Sequence, residues 1–185
     1  SLSSGNTKTH AVYVQDKWQI SPEWALTLGG RQEHYEAYDG VNQNTHATSP
    51  IARYEDRSRN TFSPKASLSF EPIPAWGFRA AFGKAYRFPT VTELFQQLTS
   101  SNAIVTNNPN LKPEEIYSSE ITAERRFANG LARASLFRED RYDALISQTN
   151  VSPVPPLTNS TSYVQNVDHV RIYGIELATE WKNAM

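Results

Sequence analysis

The sequence predicts an all-β fold, a segment of antiparallel up-and-down transmembrane β-barrel with about seven strands. Three observations support this prediction: apolar and polar side chains alternate, short turns alternate with long polar loops, and aromatic residues gather beside the short turns. Outer-membrane barrels combine short periplasmic turns with longer extracellular loops. The sequence therefore predicts short periplasmic turns at one end and long extracellular loops at the other.

Strands are predicted where apolar and polar residues alternate with a period of two, because successive side chains point to opposite faces of a strand. The predicted strands are residues 10–20, 24–37, 61–71, 76–87, 114–127, 131–147 and 163–181. The short connections, each containing the Pro, Asn or Gly that a tight reversal favours, are residues 21–23, 72–75 and 128–130. The long polar loops are residues 38–60, 88–113 and 148–162.

One face of each predicted strand is apolar and the other is charged. In the second strand Trp24, Leu26 and Leu28 point one way, whereas Thr27 and Arg31 point the other way. We expect the apolar face to contact outer-membrane lipid and the charged face to line the barrel interior. The sixth strand loses this pattern at residues 138–141, where we expect the chain to rise above the lipid.

Large aromatic residues fall at the strand ends beside the short turns. A ring of amphipathic aromatic side chains at one level is typical of a membrane interface. The residues in this predicted ring are Trp18, Trp24, Phe70, Trp76, Phe127 and Trp181.

A second class of protein shares these strands and turns. A secreted or surface β-sandwich binding module, such as an adhesin or a lectin, also alternates apolar and polar residues, but it buries its apolar face against a second sheet. The two interpretations differ in whether the apolar face is covered by protein or left to lipid.

Composition narrows the function classes. The formal net charge of -1, without a polybasic patch, argues against a nucleic-acid partner. The absence of cysteine excludes disulfides, and the sequence contains no apolar run long enough for a spanning helix. Nucleophile-elbow, zinc-protease and phosphate-loop motifs are all missing, so we predict no enzyme activity and no cofactor. We also predict no metal site, since no ligand spacing connects His10, His34, His46 and His169.

The number of predicted strands suggests that the chain is part of a larger barrel. Seven strands place the first and last residues at opposite ends of the barrel, whereas single-chain bacterial barrels have an even number of strands. The start of the chain also has no signal peptide. We therefore expect residues 1–185 to be an internal segment.

Four stretches, in order along the chain, resemble the TonB-dependent outer-membrane receptors. Residues 13–31 (YVQDKWQISPEWALTLGGR) are similar to a hairpin of that family. Residues 62–68 (FSPKASL) and 79–94 (RAAFGKAYRFPTVTEL) are similar to its next hairpin and the following loop. Residues 108–114 (NPNLKPE) resemble the run that enters the next strand, and residues 163–166 (YVQN) with 171–176 (RIYGIE) resemble a later strand.

The resemblance implies a barrel of about 22 strands in the bacterial outer membrane, filled by an N-terminal plug domain. Such receptors import a scarce ligand, mostly a ferric siderophore, with energy from the TonB complex. Haem, cobalamin, other metals and oligosaccharides are minority ligands. Residues 1–185 then correspond to a partial barrel, without the plug, the TonB box or the C-terminal strand. The resemblance therefore implies that the contacts with the plug and with the TonB complex are made through segments outside residues 1–185.

The second long loop is predicted to contain a short helix. Thr90 and Glu93 have the spacing of a capping box after Pro89, which predicts a helix over residues 91–98. This helix either packs on the barrel mouth or lines the entrance and touches the ligand; the residues alone do not decide between the two roles.

Candidate ligand contacts lie in and beside the loops. Arg87 is best placed to attract an anionic ligand, and loop aromatic residues are candidates to stack on an aromatic siderophore. The candidate ligand-binding residues are Arg87, Phe88, Phe95, Tyr38 and Tyr54. The competing expectation is that inward arginines pair with glutamates; the residues concerned are Arg31, Arg79, Arg87 and Arg126, with Glu33, Glu71, Glu120 and Glu124.

Overall fold

The computed structural model describes residues 2–43, 51–99, 103–151 and 160–181 of the chain. Nearly all of these residues belong to strands of one sheet, and the part described contains one short helix, α1 (Val91–Phe95). The strands are β1 (Leu2–Gln19), β2 (Trp24–Gln43), β3 (Ala52–Arg53), β4 (Arg57–Ile73), β5 (Trp76–Arg87), β6 (Leu98–Thr99), β7 (Ala103–Thr106), β8 (Glu114–Phe127), β9 (Gly130–Val151) and β10 (Ser160–Trp181). No helix in this part of the chain is long and apolar enough to cross a membrane.

The sheet is an antiparallel meander. Its strand order is β1-β2-β4-β5-β8-β9-β10-β7-β6, with β3 paired to β2. All seven predicted strands are present, and β5 and β8 have the predicted bounds. The short strand β7 lies parallel to β10, and β6 pairs antiparallel to β7. Among the described residues β1 pairs only with β2, so this part of the sheet is not closed into a barrel.

Several strands extend beyond their predicted bounds at the end of the sheet that carries the long loops, which we call the long-loop end. Strand β1 begins at Leu2 instead of residue 10, and β4 begins at Arg57 instead of residue 61. Backbone pairing continues there although the apolar alternation has ended. The alternation of apolar and polar residues identifies a strand only where one face of the strand is apolar. It gives no signal where both faces are polar.

The register defines two faces of the sheet. Trp24 lies opposite Phe70, and Phe70 lies opposite Phe78, so these side chains share one face, which we call the apolar face. Ile121 and Leu177 on this face are 64% and 77% exposed. No second sheet covers the apolar face within the described residues, as a β-sandwich would require. The intervening positions form the opposite face, which we call the polar face.

Two aromatic levels bound the apolar face. At the short-turn level Trp24 stacks on Phe70 with ring centroids 4.2 Å apart, and the Arg125 guanidinium lies 5.3 Å from the Trp76 ring. At the other level Tyr117 lies edge-on to Tyr142. The part of β8 from Arg125 to Tyr117 is roughly 26 Å long at the usual strand spacing. At the tilt of about 35–45° that is usual in outer-membrane barrels it spans roughly 20 Å across the membrane, most of the height of the apolar band.

Candidate functional site

The second long loop folds back onto the polar face at the long-loop end. We call residues 88–99 and 103–113 the insert, and the polar face beneath it the mouth. Pro89 is buried, and Thr90 caps α1 in the predicted capping box: its side chain accepts from the Glu93 backbone N–H, and the Glu93 carboxylate accepts from the Thr90 backbone N–H. The helix is shorter than predicted, because Gln96 is extended and the chain continues into β6.

Arg87 joins this helix to the end of β5. Its Nη2 lies 2.7 Å from Glu93 Oε1. Burial opposes ionisation of Glu93, but hydrogen bonds from the Thr90 backbone and from Arg87 outweigh it, so the pKa of Glu93 is lowered. The same carboxylate therefore caps the helix and ties it to the barrel wall.

Phe95 anchors the insert to the first two strands. Its side chain is 3% exposed and belongs to a core cluster with Tyr35, Leu94 and Leu111. The ring covers two glycines, Gly5 on β1 and Gly40 on β2, and a Cβ added to either would overlap it. The strands therefore offer a flat backbone surface on which an aromatic ring packs.

Polar contacts hold the insert along its length. The Tyr35 hydroxyl donates to the Pro89 carbonyl at 2.8 Å, and Asn107 Nδ2 donates to the Leu94 carbonyl at 2.8 Å. Arg57 Nη1 donates to the carbonyls of Pro109 and Leu111. These bonds satisfy backbone groups that would otherwise be left unpaired in a packed loop.

Two motifs that are distant in the sequence meet at the far end of the insert. Asn166 on β10 accepts a hydrogen bond from the Lys112 backbone N–H at 2.9 Å and donates to the Lys112 carbonyl at 3.0 Å. It also donates to the Asp143 carbonyl at 2.7 Å. The YVQN stretch thus holds the NPNLKPE stretch in place.

The structure brings four of the five candidate ligand residues together. Phe88 stacks on Tyr35 with ring centroids 4.6 Å apart, and Tyr54 stacks on Phe95 at 5.7 Å, so these three candidates lie in or against the core cluster. Arg87 reaches the same region through Glu93. The roles of these residues in ligand binding stay predictions.

Tyr38 lies apart from the other four candidates. It lines a hollow of about 440 Å³ together with Lys8 and Glu36. Lys8 and Glu36 are directly paired across β1 and β2 and point away from the neighbouring Ala37, which belongs to the core cluster. Tyr38 is therefore separated from the insert by the sheet.

Two further cations were missed because β4 was predicted to begin at residue 61. Arg57 and Arg59 lie on the polar face beside Tyr35 and line a cavity of about 100 Å³ under the insert. Arg57 bonds only to carbonyls, and Arg59 has no ionic or hydrogen-bonding side-chain partner among the described residues. If the alternation of β4 had been continued from residue 61 back to residue 57, both side chains would have been placed on the inner face of the barrel.

The remaining polar face is largely neutralised by ion pairs, as the competing expectation predicted. Arg31 pairs with Glu33 at 2.9 Å, and Arg126 pairs with Glu71 at 3.1 Å. Arg79 differs, since no acidic partner contacts it in the part of the chain that is described. Exposed pairs of this kind add little stability individually.

No described group of three histidine or acidic residues could hold a metal ion. His10 and His34 face each other across β1 and β2 on the apolar side, and His169 lies opposite Tyr142 on the same side. His46 lies outside the described residues.

Comparison with known proteins identifies the family. The family model described as "TonB dependent receptor-like, beta-barrel" matches residues 1–184. The heme/hemopexin utilization protein C of Haemophilus influenzae is 26% identical over 200 residues, covering 97% of this chain and 26% of that protein. The probable TonB-dependent siderophore receptor PiuA of Acinetobacter baumannii is 26% identical over 170 residues, covering 90% of this chain and 21% of the relative.

A solved structure supports the fold. The copper transporter OprC superposes with a TM-score of 0.77 at 19% identity, covering 96% of this chain and 27% of that chain. The chain thus spans about a quarter of the length of the proteins it matches.

Proposed function

The chain belongs to the β-barrel family of the TonB-dependent receptors, outer-membrane transport proteins rather than enzymes, and from this premise we propose that it forms part of the wall and mouth of a receptor that binds and imports a ferric siderophore. The short turns then face the periplasm and the insert lies at the outer end. The exposed apolar face agrees with membership of an outer-membrane family. It does not agree with a β-sandwich module, which would bury that face against a second sheet.

One observation carries the ligand proposal: the mouth bears guanidinium groups that have no carboxylate partner among the described residues. Arg59 has no side-chain partner within the described residues, and Arg57 is satisfied only by neutral carbonyls. Guanidinium groups on a partly enclosed surface favour an anionic ligand through charge-assisted hydrogen bonds. Many ferric siderophore complexes are anionic, so this chemistry suits them.

The candidate residues take two roles in this proposal. Arg87 is partly exposed at the mouth and contacts the ligand. Tyr38 lies on the other side of the sheet, so it does not reach a ligand in the mouth. Phe95 belongs to the core cluster, and Phe88 and Tyr54 pack against it, so these three residues act by holding the insert over the mouth. The plug, the remaining barrel strands and the TonB complex are proposed partners that act through other segments.

Haem is the competing ligand, because one relative is named as a heme utilization protein. Haem iron in proteins is commonly held by histidine, and the described histidines lie on the apolar side of the sheet. This placement favours a siderophore over haem for the part of the mouth described here.

The test uses a full-length receptor that carries this segment. We expect Arg59→Gln to weaken binding of an anionic ferric siderophore about tenfold, since one charge-assisted hydrogen bond is lost. Arg125→Gln is the matched control, because that cation lies on the apolar face at the short-turn level. Binding is measured by titration of the purified receptor and uptake by accumulation of radiolabelled iron.

Two results would contradict the proposal. Equal affinity of wild type and Arg59→Gln for every anionic ferric siderophore would remove the role of the mouth arginines. Uptake of haem alone, with no uptake of any ferric siderophore by a strain that depends on this receptor for iron, would reassign the ligand.

A further inference from the structure

The apolar face carries a second group of cations, on the opposite side of the sheet from the mouth. Arg138 on β9 lies opposite Tyr173 on β10, and Asp140 lies opposite Arg171. These positions continue the series Ala134, Leu136 along β9, so they point outward, away from the mouth. The proposed transport function does not use them.

Asp140 organises the two arginines. Its Oδ2 lies 2.7 Å from Arg138 Nε, and its Oδ1 lies 2.6 Å from Arg171 Nε. The Asp140 side chain is 12% exposed, whereas Arg138 and Arg171 are 55% and 48% exposed. The carboxylate is therefore covered and the guanidinium groups are not.

The bonding leaves one edge of each guanidinium group free. Each guanidinium group contacts Asp140 through its Nε atom, and His169 Nε2 lies 2.8 Å from the same carboxylate. The terminal nitrogens of Arg138 and Arg171 make no hydrogen bond within the residues that are described. Two preoriented guanidinium edges beside each other match the oxygens of a phosphate group.

The cluster lies at the outer edge of the apolar band. Below it are Leu136 and Ile175, which are 56% and 71% exposed. Level with it is Tyr173, which is 78% exposed. Lys84 lies nearby in the same aromatic level, 4.9 Å from the Tyr117 ring. Exposed tyrosines and cations at the end of an apolar band mark the depth of lipid headgroups.

We propose that Arg138 and Arg171, held by Asp140, form an outward-facing site for the phosphate of an outer-leaflet lipid. The lipid tails lie along Leu136 and Ile175, and the phosphate is held by the guanidinium edges. A soluble anion would leave the adjoining apolar strip without a function, so the position favours a lipid over free phosphate.

The experiment uses the full-length receptor, purified and delipidated in detergent, with bisphosphorylated lipid A as the probe. We expect the double variant Arg138→Gln/Arg171→Gln to bind this lipid roughly thirtyfold more weakly than wild type, as the loss of two headgroup cations implies. Arg133→Gln is the matched control, because it lies on β9 but on the polar face, paired with Glu124. Binding is read by native mass spectrometry, and heat-modifiable gel migration reports barrel assembly.

A second measurement needs no variant, so it decides the matter even if the double variant fails to assemble. Wild type should bind lipid A after removal of both phosphates far more weakly than the phosphorylated form. Equal binding of the two lipids overturns the proposal, as does equal loss in Arg133→Gln. Displacement of the lipid by millimolar inorganic phosphate would identify a free-anion site and also overturn it.

Discussion

Removing the Phe95 ring should release the insert from the mouth. The side chain is 3% exposed and covers Gly5 and Gly40, so truncation leaves a cavity that the glycines cannot fill. Replacement of a buried Phe by Ala costs about 3–5 kcal/mol. Because about 1.4 kcal/mol changes an equilibrium tenfold, Phe95→Ala should favour the open insert roughly a hundredfold or more.

Amide hydrogen exchange of a full-length receptor measures this opening. The amides to follow are those of Leu94 and Gln96, which donate to the carbonyls of Thr90 and Thr92 at 3.1 Å. Their protection should fall by the same factor until it reaches the limit set by complete opening.

Phe82→Ala is the matched control. Phe82 is 44% exposed and lies on the apolar face, opposite to the face that the insert covers. Unchanged protection of Leu94 and Gln96 in Phe95→Ala, or an equal loss in Phe82→Ala, would refute the reasoning that Phe95 anchors the insert.

Three further outcomes follow from the contacts of the insert. Thr90→Ala removes the helix cap and should weaken docking by about 1 kcal/mol, seen as faster amide exchange in α1. Because the pKa of Glu93 is lowered when the insert is docked, its pairing with Arg87 stabilises docking above the ordinary glutamate pKa; this contribution is lost on acidification. Spin-label distances between α1 and β4 should therefore broaden as the pH falls below the ordinary glutamate pKa, and Glu93→Gln should abolish that dependence. Asn166→Ala breaks both bonds to Lys112 and should lower the free energy of local opening at the Lys112 amide by about 1–3 kcal/mol. Amide exchange should then be faster at Lys112 and unchanged in α1. Equally faster exchange in α1 would show that the two ends of the insert dock as one unit.

Local patterns predicted much of the fold. Alternation identified seven strands, and Pro, Asn or Gly identified the three turns, because both signals act over a few neighbouring residues. The capping box of Thr90 and Glu93 predicted α1 for the same reason. The strand ends at the long-loop end were missed, since pairing there continues between residues that are polar on both faces.

The candidate site was predicted only in part. Phe88, Phe95 and Tyr54 were chosen as exposed loop aromatics, but in the structure Phe95 belongs to the core cluster and the other two pack against it. Arg59 was overlooked because it was taken for a loop residue. Whether a loop residue faces solvent or the barrel wall depends on contacts with strands far away in the sequence.

The sequence by itself determined the strand periodicity, the apolar lipid-facing surface and the family, because each is recorded in short runs of neighbouring residues. Only the tertiary structure decided that Phe95 packs across Gly5 and Gly40, and that Asp140 holds Arg138 and Arg171 together on the outer surface. These arrangements depend on the register between strands. Register is set by pairing along the whole sheet, so no single stretch of the chain contains it.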